Sequence, residues 1–229
     1  MITINNIKNL VLLSLALISL ESQAVLYQVG DRTQFNSYGS IAENYGFEDF
    51  GSGFSYPGDP WTEHGVTYGS GSNLIIGTGT FFSPVSNVFG YNGWSPVVGE
   101  VDSSPQYSMF AVDLGILGIN SSITISIMTN LGIYELSGIN VQNASLGLDF
   151  YGFMVDVGEY ITGFDIASLL GPGSGPVIDN VTLGSAALLP QILGLSAISL
   201  PEPQLIGFYV IFILWVFGHV RRRSGKMSD

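Results

Sequence analysis

Residues 123–127 read Ile-Thr-Ile-Ser-Ile, a strict alternation of β-branched apolar side chains with small hydroxyl side chains. Successive side chains of a strand point to opposite faces. The run therefore puts Ile123, Ile125 and Ile127 on a buried face and leaves Thr124 and Ser126 outside. A helix would scatter the three isoleucines around its axis. The same texture recurs along the middle of the chain. Short runs rich in β-branched and aromatic residues stand at 25–29, 65–68, 73–76, 107–114, 122–128, 132–136, 150–155, 160–166 and 177–183. Turn-forming clusters separate them, among them Tyr91-Asn92-Gly93 and Gly171-Pro172-Gly173-Ser174-Gly175-Pro176. No heptads, no long amphipathic period and no repeat interrupt this reading. About nine strands in about 160 residues predict a mainly β chain, an antiparallel β-sandwich of jelly-roll-like kind over residues 25–184.

Such a domain must hold together by its core alone. The chain has no cysteine, which removes disulfides, thiolate zinc sites and cysteine nucleophiles together. Hydrophobic residues make up 46% and charged residues 10%, enough apolar surface for a core and too little charge for disorder. The 30 glycines, 14 phenylalanines and 11 tyrosines suit turns and pleated surfaces.

Charge is distributed unevenly. Between Val25 and Leu200 stand fifteen acids and one base, Arg32, so this stretch carries 1 − 15 = −14. It repels phosphate, which excludes a nucleic-acid-binding role; the acidity either keeps an exported protein soluble or attracts divalent cations.

The ends read as addresses rather than as parts of the domain. Lys8, the eleven apolar residues 10–20 and the small residues Ser22 and Ala24 at the −3 and −1 positions form a secretory signal over residues 1–24. A signal-peptide helix of that length is too short to span a bilayer of about 30 Å comfortably. Export through the secretion translocon and cleavage by signal peptidase after Ala24 follow. At the other end, residues 205–220 form a sixteen-residue apolar run containing His219, followed at once by Arg221, Arg222 and Arg223. The run reaches about 24 Å as a helix, the short limit for a membrane span, and the arginines hold its C-terminal side in the cytoplasm. Residues 185–200, apolar but broken by Pro190 and Gly194, read as a partly extended linker or a weak helix.

Pro201-Glu202-Pro203 stand just before that run. Pro-Glu-Pro, a short transmembrane helix and an arginine cluster in this order resemble the PEP-CTERM sorting signal of Gram-negative bacteria, here over residues 201–226. The resemblance implies recognition by an exosortase, a membrane-embedded protease, with cleavage near Pro201, Glu202 and Pro203. It further implies an inner-membrane-anchored intermediate, then the cell surface or an exopolysaccharide matrix. Two prolines suit such a site, since they keep the backbone extended.

The middle also resembles the β-sandwich ectodomains common in PEP-CTERM proteins. The matching residues are Gly46-Phe47-Glu48-Asp49-Phe50 and Ile178-Asp179-Asn180-Val181-Thr182-Leu183-Gly184. In carbohydrate-binding jelly rolls of this kind a first-strand Glu and a last-strand Asp bind a structural calcium. That implies Glu48 and Asp179 as its carboxylates, with backbone carbonyls completing an oxygen shell. The other reading of both is a solvated strand-end acid. Trp61 and Trp94 lie in turn-rich loops, where a planar ring either stacks on a sugar or caps the core.

Catalysis has little to work with. His64 is the one histidine of residues 25–200, and no Gly-x-Ser-x-Gly elbow accompanies it. Carboxylate pairs are unavoidable among fifteen acids, so a glycosidase pair carries little weight. The expectation is a non-catalytic exported surface or matrix protein. The alternatives are a carbohydrate-binding module holding exopolysaccharide through Trp61 or Trp94 and, third, a secreted glycan hydrolase.

Overall fold

The computed structural model describes residues 25–47, 54–55, 60–69, 74–79, 83–91, 96–118, 121–168, 174–187 and 194–199. In chain order the strands are β1 (Val25–Val29), β2 (Gly39–Tyr45), β3 (Phe54–Ser55), β4 (Trp61–Glu63) and β5 (Val66–Tyr68). Then come β6 (Leu74–Gly79), β7 (Ser83–Tyr91), β8 (Val97–Val101), β9 (Met109–Gly118) and β10 (Ser121–Thr129). The last five are β11 (Ile133–Val141), β12 (Asp149–Val155), β13 (Ile161–Ser168), β14 (Ser174–Ala186) and β15 (Ser196–Ser199). One short helix, α1 (Arg32–Ser37), follows β1.

The strands form two antiparallel sheets. The nine-stranded sheet runs β15-β1-β12-β9-β14-β7-β6-β3, with β2 also paired to β14. The six-stranded sheet runs β11-β10-β13-β8-β5-β4. The expected β-sandwich is present, and each of the nine sequence segments falls on a strand. Ile123, Ile125 and Ile127 are fully buried in the core between the sheets. Facing them from the larger sheet are Phe110, Val112, Leu114 and Ile116 of β9 and Phe153 and Val155 of β12.

The alternation continues on the outer side of the larger sheet. Tyr27, Met109, Ala111 and Met154, each one residue out of step with the inner set, form a second cluster around Phe35 of α1. Asp31 caps α1, its side chain accepting from the Gln34 N–H at 2.7 Å. Phe35 is fully buried and meets Phe150 edge-on, with ring centroids 5.8 Å apart. A six-residue helix has little stability of its own, so this aromatic plug is what holds it on the sheet.

β14 positions the site. One edge pairs with β9 along its length. On the other edge Val177 and Ile178 pair with β7, whereas residues 181–186 pair with β2. The ladder to β9 is interrupted between Asp179 and Thr182, where Asn180 takes a left-handed conformation (φ 48°). The strand therefore changes partner at a bulge, and residues 179–182 stand at the fork.

The stretch 185–200 read as a linker contains structured backbone. β14 continues to Ala186, and β15 adds to the edge of the sheet with Val25 opposite Ser199 and Leu26 opposite Ile198. Residues 1–24 and 201–229, with the expected signal and transmembrane helices, lie outside the described residues. Among the described residues no helix is long and apolar enough to cross a membrane.

Candidate functional site

The fork in β14 gathers a dense polar network. Asp179 is directly opposite Asp113 of β9, so both carboxylates leave the same, outer face of the larger sheet. Two carboxylates this close repel unless something neutralises them. Here protein groups do so. Arg32, the first residue of α1, donates from Nη2 to Asp113 Oδ1 at 2.7 Å and to the Asn180 carbonyl at 3.2 Å. Its Nη1 donates to Thr182 Oγ1 at 3.0 Å, and the guanidinium lies 4.7 Å from the centre of the Phe150 ring. The Asn180 amide bridges the pair, with Nδ2 2.8 Å from Asp113 Oδ2 and 3.4 Å from Asp179 Oδ2. The Asn180 backbone N–H donates to Asp179 Oδ1 at 2.7 Å, and Thr182 Oγ1 donates to Asn44 Oδ1 at 2.9 Å.

Of the proposed calcium pair, Asp179 is therefore buried at this fork, and Glu48 lies outside the described residues. The sequence left the local negative charge to a cation or to solvent; the chain's one base between Val25 and Leu200 answers it in part. No group of three or more His, Asp or Glu side chains is placed to hold a metal among the described residues. Asp113 and Asn44 were missed as site residues. The usable signal was Arg32: a lone base among fifteen acids has a carboxylate partner somewhere in the fold.

A second cluster lies at the β4–β5 hairpin. Glu63 is opposite Val66, so the loop is the two residues His64 and Gly65, both left-handed (φ 46° and 77°), the geometry that matches strand twist. His64 Nδ1 is 3.0 Å from Glu43 Oε2 and Nε2 is 3.2 Å from Glu63 Oε1, while the ring stacks on Tyr45 at 4.8 Å. These partners tie the hairpin of the smaller sheet to β2 of the larger one. Both ring nitrogens of His64 are met by carboxylates, an arrangement for holding the ring rather than for activating a hydroxyl. Trp61 stacks on buried Tyr68 at 5.5 Å and packs against the core beside Phe47. Burial pushes the Tyr45 phenol up, and its oxygen pairs with that of Tyr68. Trp94 lies outside the described residues, as do Ser22, Ala24, Pro201, Glu202, Pro203 and Arg221, Arg222 and Arg223.

The outer face of the smaller sheet is polar. Across it run Glu135, Ser126, Asp165 and Val98 in register, with Ser137 beside Thr124. Asp165 Oδ1 is buried without a hydrogen-bond partner, and burial raises the carboxyl above its ordinary range.

No family model matches the chain. No curated protein matches it either. Among solved structures, a family 11 carbohydrate-binding module from Clostridium thermocellum, in complex with a β-1,3-1,4-mixed-linked tetrasaccharide, is similar at 13% identity. The match covers 59% of this chain and 98% of that one, with a TM-score of 0.32. A likeness this distant says nothing about a ligand of this chain.

Proposed function

We propose that this chain is a non-catalytic surface or extracellular-matrix protein of a Gram-negative bacterium, exported and then sorted by an exosortase through residues 201–226. One observation carries the reading: Val25 is paired with Ser199 at the sheet edge. The first strand begins one residue after the expected signal cleavage at Ala24, and the last ends two residues before Pro201. A fold bounded in this way loses none of its described strands to either cut. The jelly-roll kind of sandwich belongs to the same reading, as do the translocon and signal peptidase as export partners. The inner membrane is the station before processing. Intact-mass measurement of surface-extracted protein tests it: the expected species begins near Val25 and ends near Pro203. A species still carrying Arg221 to Asp229 in a host with the matching exosortase overturns the sorting reading.

Asp165 favours a second reading, exopolysaccharide binding on the outer face of the smaller sheet. Asp165 as a whole is only partly buried and stands opposite Ser126 on that face. No protein donor among the described residues meets its buried Oδ1, and a carboxylate so placed suits a sugar hydroxyl. Titration of the host's secreted polysaccharide tests it: saturable binding lost in Asp165→Ala supports it, and no binding removes it.

A further inference from the structure

Among the described residues four large hydrophobic side chains are exposed: Leu131, Ile133, Leu146 and Val157. Scattered singly, such residues need no explanation, but three of these are gathered in one place. Leu131 and Ile133 belong to the β10–β11 turn, and Val157 tips the connection from β12 to β13. The two turns are laced together. Asn130 N–H donates to the Tyr160 carbonyl at 3.1 Å, and Tyr160 N–H donates back to Asn130 Oδ1 at 2.8 Å. Asn130 Nδ2 donates to the Gly158 carbonyl at 3.4 Å.

The acids of the β12–β13 turn do not share this surface. Asp156 and Glu159 are both buried. Glu159 accepts from Thr129 Oγ1 at 2.6 Å and from the Tyr134 hydroxyl at 2.9 Å. Burial, followed by that bond, raises the Tyr134 phenol and keeps it a donor. In a stretch carrying −14, two adjoining turns thus present apolar tips with their acids turned inward. The exposed acid of β11, Glu135, stands two residues beyond Ile133, about 7 Å further along the strand.

The position of these tips matters as much as their composition. Leu26 is paired with Val155, the residue before the Asp156–Glu159 turn, and Val25 is paired with Ser199. The apolar tips and the last residue of β15 therefore lie at the same end of the sandwich. Leu146 belongs to the other end, in the turn beside Gly118 of β9. Between Ser199 and the apolar run starting at Leu205 the chain has five residues, a reach of about 20 Å even when fully extended.

We propose that Leu131, Ile133 and Val157 rest in the lipid headgroup region while the chain is membrane-attached, seating the sandwich on the bilayer by this end. The inference rests on the reading of residues 205–220 as a membrane segment. An apolar tip inserts at the headgroup and acyl boundary, while the acidic remainder is held off an anionic surface, so the surface in question is zwitterionic lipid.

The test uses the full chain in phosphatidylcholine vesicles carrying a lipid-borne spin quencher. Because the chain has no cysteine, Leu131→Cys, Val157→Cys and Leu146→Cys each give one labelling position. Flotation with the vesicles establishes attachment. Fluorophores at 131 and 157 are expected to lose emission to the quencher, and one at 146 to keep it. Emission at 131 and 157 no more quenched than at 146, in vesicles that carry the chain, overturns the proposal and leaves the anchor standing. A chain that does not float overturns the anchor and, with it, the proposal.

Discussion

The ring of Phe164 lies over the backbone of Gly99, its cross-strand partner on β8, so closely that a Cβ at 99 would stand 2.5 Å from two ring carbons. Val66 closes the same space, 3.0 Å from that Cβ. Phe164 is also stacked 4.7 Å from Phe110 of the opposite sheet, so the ring is not free to swing aside. Gly99→Ala is expected to overpack the core and cost about 1–3 kcal/mol. Urea unfolding of the processed protein checks it; an unchanged midpoint means the two sheets separate more easily than this packing implies.

Arg32 makes the second prediction. Its guanidinium joins α1 to β9 and β14 and is partly exposed, with 28% of the side chain accessible against 18% for Asp113. Solvent screening limits the ion pair itself to about 1 kcal/mol or less. Loss of the forked hydrogen bonds at the Asp113–Asp179 pair adds to that. Arg32→Met is expected to cost about 1–3 kcal/mol, and Arg32→Lys to recover only part, since an ammonium cannot reproduce the fork. Melting temperatures of the two variants against the parent decide it.

What the sequence showed and hid follows from how local each signal is. The alternation at 123–127 and the long β-rich runs are written in consecutive residues, and they mark strands whose inner face is buried. β2 (GSIAENY) and β8 (VVGEV) lack that mark, because Ala, Gly and Glu occupy positions that neighbours rather than propensity hold extended. α1 spans six residues, too few for a helical period. At the site, Asp179 could be read as a last-strand acid. Its partner Asp113 stands 66 residues earlier, and only the pairing of β14 with β9 brings them together. The fork at Asn180 was likewise hidden, since a left-handed Asn carries no mark distinguishing it from any other Asn in a strand.

Asp165 sets a pH dependence. Burial raises its carboxyl in the folded state above the unfolded value, so the fold binds that proton more tightly than the unfolded chain does. Its contribution favours folding below the unfolded pKa and is lost as pH rises through the folded one. Asp165→Asn removes the ionisable group. It is expected to raise the melting temperature at neutral pH, with the difference shrinking towards zero in the acid range where the parent carboxyl is protonated. Paired thermal scans from acid to neutral pH show this; a variant less stable than the parent at neutral pH contradicts it.

The proposed sorting tail yields the last prediction. Among the described residues, the ladder that joins β15 to β1 ends with Val25 opposite Ser199. Changing Pro201, Glu202 and Pro203 to alanine leaves every described rung of that ladder in place. The apolar run 205–220 and Arg221 to Arg223 are also untouched, so membrane insertion and orientation are expected to persist. What changes is the extended backbone that two prolines favour in the segment before the proposed span. The triple-alanine chain is expected to accumulate in the inner-membrane fraction at full length after signal removal, while the parent is recovered at the surface in shortened form. Fractionation followed by intact-mass measurement separates the outcomes. Release of the triple-alanine chain at the parental rate would show that Pro-Glu-Pro is not what the protease reads.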